Sequence, residues 1–219
     1  MTMNPETGRI SNSLIDDLAA DLAPVRPVRL VHGIALVALA AIATVVLVEL
    51  IDGLWRGILA GRASALFFIA NGMLGLLGAA SALAVLRMAT PRVGNSHEGA
   101  RWSFAMLGLL PATAVVTLGI GGSIAEILGD PYGFECFAAG TGFGLVTAAA
   151  LVLWLRRGAP VSLAAAGTFT GVAAGAIGSF AYGLACPIDT LGHLGVWHVL
   201  PVALAALVGR LAVPPLVRW

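Results

Sequence analysis

The stretch "LVHGIALVALAAIATVVLVELI", residues 30–51, decides the fold. It holds no Asp, Glu, Lys or Arg before Glu49. Crossing roughly 30 Å of hydrocarbon takes about 20 apolar residues as a helix, because lipid offers no partner for backbone N–H and C=O groups. The run begins after a tail of residues 1–29, continues past signal-peptide length and ends without a small-residue cleavage pattern. It is therefore read as a retained span.

The rest of the 219-residue chain repeats the pattern: 59% of residues are hydrophobic and 11% charged, and mean hydropathy is +0.96. Length here counts spans rather than soluble domains. Six are expected, near residues 30–51, 64–86, 103–127, 136–155, 162–186 and 194–213. The predicted fold is an all-α polytopic membrane bundle of six transmembrane helices, preceded by an amphipathic N-terminal helix. Residues 1–28 form a tail and residues 29–219 the membrane domain.

Charge orients this arrangement. All twelve basic residues are Arg, and ten of them fall in the tail, the second-to-third loop, the fourth-to-fifth loop or the C-terminal end. Only Arg56 and Arg62 lie on the other side. The positive-inside rule then places both termini in the cytoplasm of a multi-pass inner-membrane protein. Glu49, Asp52, Glu126, Asp130, Glu135 and Asp189 fall at the outer face. Basic residues beside an inner leaflet serve as anchors, so no nucleic-acid surface is expected.

Within the spans, small residues recur at helical spacing. Gly167, Gly171, Gly175 and Ser179 form a ridge, and Gly140 and Gly144 begin another; close backbone approach at such ridges packs helices in lipid. Packing inside one bundle is preferred over a face for a homo-oligomer. Asn71 is expected to hydrogen-bond across helices. Pro111 and Pro201 should kink their spans. Trp55, Trp102, Trp154, Trp197 and Trp219 read as an interfacial belt.

The outer face carries the chemistry. Cys136 opens the fourth span and Cys186 closes the fifth; the loop between those spans is cytoplasmic, so topology returns both thiols to one level. A disulfide, a metal contact and two unconnected buried thiols are all open. His193 and His198 stand nearby, but five residues apart they share no helix face. They read first as interfacial anchors and second as ligands. The spacing matches no structural zinc pattern and contains no CxxC pair. No resident cofactor is expected; a transient metal ion at Cys136, Cys186, His193 and His198 is the one group these residues could hold. The chain has no Lys, no GxSxG, no HExxH and no phosphate loop, which argues against an enzyme. A membrane thiol–disulfide oxidoreductase and a small transporter are the rival classes, weakened by the missing CxxC and by the few intramembrane charges.

The tail segment "SNSLIDDLAADLAP", residues 11–24, is helix-ready. Leu14, Ile15, Leu18 and Leu22 fill one half of the wheel, Asp16, Asp17 and Asp21 the other; serines can cap the start and Pro24 stops it. A membrane-surface helix would carry Lys and Arg on its polar face, and this one carries Asp. Its apolar stripe suits either its own bundle or a partner with an apolar groove and a basic rim.

Four segments resemble one family. "LIDDLAADLAPVRPV" (residues 14–28), "RRGAP" (156–160), "AGTFTGVAAGAIG" (166–178) and "CPIDTLGHLGVWHVLP" (186–201) together look like the negative regulator of sigma F family. The resemblance implies a six-span inner-membrane anti-sigma factor whose N-terminal segment holds an extracytoplasmic-function sigma factor away from RNA polymerase. It further implies that Cys136 and Cys186 take part in sensing metal or oxidative stress. On the wheel, Leu14, Ile15, Leu18 and Leu22 would contact sigma, with Asp16, Asp17 and Asp21 facing its basic residues.

Overall fold

The structure is a computed structural model, and it describes residues 15–21, 29–90, 129–217 and isolated positions between 102 and 127. Among the described residues all regular structure is helical: α1 (Leu30–Ile51), α2 (Ala65–Met88), α3 (Gly133–Leu155), α4 (Leu163–Gly183), α5 (Leu191–Trp197) and α6 (Leu200–Val217). Residues 15–20 form a further short helical stretch. Five segments are long and apolar enough to cross a membrane: α1 to α4 and the α5–α6 stretch Leu191–Val217. The span expected at 103–127 falls mostly outside the described residues, as do Leu14, Leu22 and Trp219.

Local chemistry sets the helix starts. Ser64 accepts a hydrogen bond from Phe67 N at 3.1 Å to open α2, and Ser162 does the same for Ala165 N at 3.3 Å at α4. Thr190 caps α5 through His193 N at 3.4 Å. These bonds satisfy amides that a helix start leaves unpaired. Between α1 and α2, Gly53 and Gly61 take φ of 79° and 67°, a region that residues with a Cβ rarely enter. Glu49 ties that loop down, accepting from Leu54 N at 2.6 Å and pairing with Arg56.

α4 is the axle of the bundle. Fifteen of its 21 residues are buried, and it packs most extensively on α6, then α3, then α2. Its glycines decide how. The position of a Cβ on Gly171 would overlap the Ala205 carbonyl of α6; Gly175 lies against Pro201 and Val202, and Gly167 against Gly209. Toward the other end of α4, Gly178 lies against Gly140 and Gly144 of α3, and Gly140 meets Ser179. Both ridges are thus used within the chain, as close backbone packing in lipid would require. α1 is attached by one stripe only, Gly33, Ala40, Thr44 and Val48.

Three expectations need correction. Trp154 is 2% exposed, and its indole N–H donates to Leu86 O at 3.2 Å, so it is a core residue joining α2 and α3 rather than part of a belt. Asn71 donates to Phe67 O of its own helix at 3.0 Å; its amide oxygen abuts Gly183 of α4 without a hydrogen bond, because α4 has no free donor there. Pro201 does not kink a continuous span. The helix is interrupted at His198 and Val199, and Pro201 sits in the first turn of α6, where its missing N–H costs nothing. The proline pair inside a helix is Pro214 and Pro215, near the end of α6.

The ends of the bundle differ chemically. One gathers Met88, Ala89, Trp154, Leu155, Val213 and Val217, and Arg29, Arg87, Arg156 and Arg157 lie in or beside the helix ends there. The other gathers Val48, Tyr182, Cys136 and Cys186.

Candidate functional site

Cys136 lies in the first turn of α3 and Cys186 three residues beyond α4. An antiparallel pair of helices returns those ends to one level, and Cys136 Sγ donates to Cys186 Sγ at 3.7 Å. Both are free thiols, 3% and 5% exposed. The two thiols are thus in contact with no covalent link between them.

The histidines complete the cluster. His193 Nε2 lies 3.4 Å from Cys186 Sγ, and the rings of His193 and His198 are 5.3 Å apart between centroids. With exposures of 3% and 1%, both are buried beside the cysteines rather than set out as separate anchors. His198 is the C-cap of α5 and keeps the αR conformation, so both histidines are carried by this one short helix against the cysteines. One donor atom from each of Cys136, Cys186, His193 and His198 falls within 4.8 Å of the others.

Asp130, just before α3, was visible in sequence only as one more outer-face acid. Its Oδ2 lies 2.5 Å from His193 Nδ1 across 63 positions of chain. Nearby, the Tyr182 hydroxyl donates to Glu135 Oε1 at 3.3 Å, and Trp197 donates its indole N–H to Ile127 O at 3.1 Å while covering Gly133. No local spacing signals any of these contacts, since each joins elements far apart in the chain.

The electrostatics favour a nucleophilic sulfur at one position. The Cys186 thiol is held well below its ordinary value of 9.0, chiefly because Cys136 donates a hydrogen bond to it. Burial opposes this, and the His193 contact assists it. Two adjacent thiols flanked by two imidazoles are suited, once deprotonated, to bind a soft or borderline metal ion or to exchange with an oxidant.

The tail residues lie apart from this cluster in sequence and surroundings. Ile15, Asp16, Asp17, Leu18 and Asp21 are all exposed, and among the described residues nothing covers the apolar pair Ile15 and Leu18.

Among the described residues the fold is a helical bundle with a buried thiol–imidazole cluster at one end and an exposed acidic tail helix. Residues 18–219 match the family model described as "Negative regulator of sigma F". The chain belongs to that family, which is regulatory rather than catalytic. It is also 31% identical over 149 residues to the anti-sigma-F factor NrsF of Caulobacter vibrioides (strain NA1000 / CB15N), covering 66% of this chain and 69% of that one. No solved structure matches it.

Proposed function

We propose that this chain is a membrane-held anti-sigma factor. Its N-terminal residues 1–28 sequester an extracytoplasmic-function sigma factor, and a metal or oxidative stress signal at Cys136 and Cys186 releases it. The single observation that carries the reading is the tail. Ile15 and Leu18 are 60% and 63% exposed beside Asp16, Asp17 and Asp21, an apolar pair with an acidic rim. That surface is complementary to a groove lined by apolar and basic residues, and its charge disfavours an anionic bilayer surface.

The membrane setting has separate support. Val31, Leu39 and Leu50 of α1 are 72%, 65% and 75% exposed, an outward apolar face suited to lipid. The Arg-bearing end fits the cytoplasmic side by the positive-inside rule, which puts the tail with its partner and the cysteines outside. Tethering also raises the tail's effective concentration relative to diffusing competitors.

Co-purification of the full-length chain with sigma factors from its own cells tests the first step. The wild type is expected to retain one, and Leu18→Asp to lose it and switch on the genes that sigma directs. If Leu18→Asp retains sigma and those genes stay silent, the tail assignment is wrong.

A further inference from the structure

We infer that Cys136, Cys186, His193 and His198 form a four-donor site for one thiophilic d10 metal ion, with Asp130 as the residue that positions His193. This deepens the proposed release step and rests on it for biological meaning, though not for the chemistry of the site.

Distances carry the first part. Two sulfurs each about 2.3 Å from a tetrahedral ion stand about 3.8 Å apart, and a sulfur and an imidazole nitrogen about 3.5 Å. Here the sulfurs are 3.7 Å apart and Cys186 Sγ is 3.4 Å from His193 Nε2. Two of the six edges of the coordination tetrahedron are therefore at coordination length before any ion arrives, and the remaining donor pairs lie within 4.8 Å, a small inward movement from it. They arise from topology, which is why no zinc-like spacing appears in the sequence.

His198 supplies an independent observation. It is 1% exposed, and neither ring nitrogen makes a geometrically satisfactory hydrogen bond among the described residues, the Cys186 sulfur being the polar group it interacts with. A buried imidazole left unpaired costs about 1–3 kcal/mol per polar group, so its retention beside two thiols and a second imidazole needs a reason. Coordination would provide one, because a ligating nitrogen is satisfied by the ion.

Asp130 settles which nitrogen of His193 ligates. Its carboxylate accepts the Nδ1 proton at 2.5 Å, which fixes the tautomer and leaves the Nε2 lone pair directed to the sulfur side. Carboxylate–histidine–metal chains of this kind orient the ring and raise its basicity. With its side chain 15% exposed, Asp130 also marks the edge of the cluster nearest solvent. Two thiolates balance a divalent ion, so a Zn(II)- or Cd(II)-like charge leaves the buried donor set neutral. Binding releases the remaining thiol protons to solvent.

The test uses reduced full-length protein in detergent. Titration with Co(II) as a spectroscopic probe is expected to give the strong visible absorption of a tetrahedral thiolate site, saturating at one ion per chain. Asp130→Asn should keep that spectrum with about 10–100-fold weaker binding. His198→Ala should lose the tetrahedral band. X-ray absorption on Zn(II)-loaded wild type, which needs no variant, should show two sulfur and two imidazole scatterers. Absence of imidazole scattering, or His198→Ala binding Co(II) like wild type, would overturn the four-donor site. Sigma retention by the metal-free wild type is scored in parallel; its failure would count against the anti-sigma reading and leave the metal result standing.

Discussion

Gly171→Ala is the most direct test of the bundle. An ideal Cβ at this position would lie 2.5 Å from the Ala205 carbonyl carbon and 2.8 Å from Ala206 Cα, and nearer still to Ala205 O. Carbon atoms in contact sit about 3.5–4.0 Å apart, so α4 and α6 must separate by about 1 Å. Backbone cannot rotate away as a side chain can, which places the overpacking cost toward the upper part of about 1–3 kcal/mol. Against it stands the helix-propensity gain of Ala over Gly, about 1 kcal/mol. The net expectation is a loss of about 1–2 kcal/mol. Gly142→Ala on α3 is the control, since nothing lies within 4 Å of its Cβ position; there only the propensity gain operates. Equilibrium unfolding by SDS titration in mixed micelles should separate the two variants by about 2–3 kcal/mol. Equal stability of both would refute the claim that the glycine ridge is an internal seam.

Trp154→Phe should cost about 1–2 kcal/mol in the same assay, because the buried Leu86 carbonyl loses its 3.2 Å donor; Trp102→Phe, at a site 72% exposed, should stay within about 0.5 kcal/mol of wild type. Leu18→Asp should also unfold within about 0.5 kcal/mol of wild type, so a larger loss would mean the stripe packs on the bundle. The double variant Cys136→Ser with Cys186→Ser should hold sigma yet fail to release it with Cd(II) or oxidant; a reporter that responds like wild type would remove the cysteines from sensing.

The helices were legible because their signal is continuous: an apolar run such as 30–51 tolerates no other reading, and the glycine periodicity 167, 171, 175 announced a packing face. Which helix that face meets was not legible. Gly171 on Ala205 is a fact of tertiary arrangement, and any small-residue partner would have served the pattern equally. The cysteine pair was legible through topology, since an intervening hairpin returns both to one end. The convergence of the histidines was not legible, since five positions separate them on the wheel and only their shared packing against the two cysteines brings both rings into one cluster. Asp130 was out of reach, 63 residues from its partner with no motif around it.

Geometry also bears on how the two ends could communicate. The cluster joins the start of α3, the segment after α4, α5 and the α5–α6 junction, so a change in its size or charge acts on all of them at once. α4 and α6 meet through backbone atoms along Gly167, Gly171 and Gly175. A displacement there is transmitted as rigid-body movement, because there are few side chains in the seam to absorb it. At the far end Val213 and Val217 of α6 share a cluster with Trp154, whose ring presses on Gly33 of α1, and α1 leads directly back to the tail. Continuity of contact is not yet coupling, which requires two arrangements that both ends bias. The requirement is modest: a difference of about 1.4 kcal/mol between arrangements would change sigma affinity tenfold. That is no more than the cost range of a single overpacked contact in such a seam, so small geometric changes at the four donors are energetically sufficient to alter the hold of a tail at the opposite end.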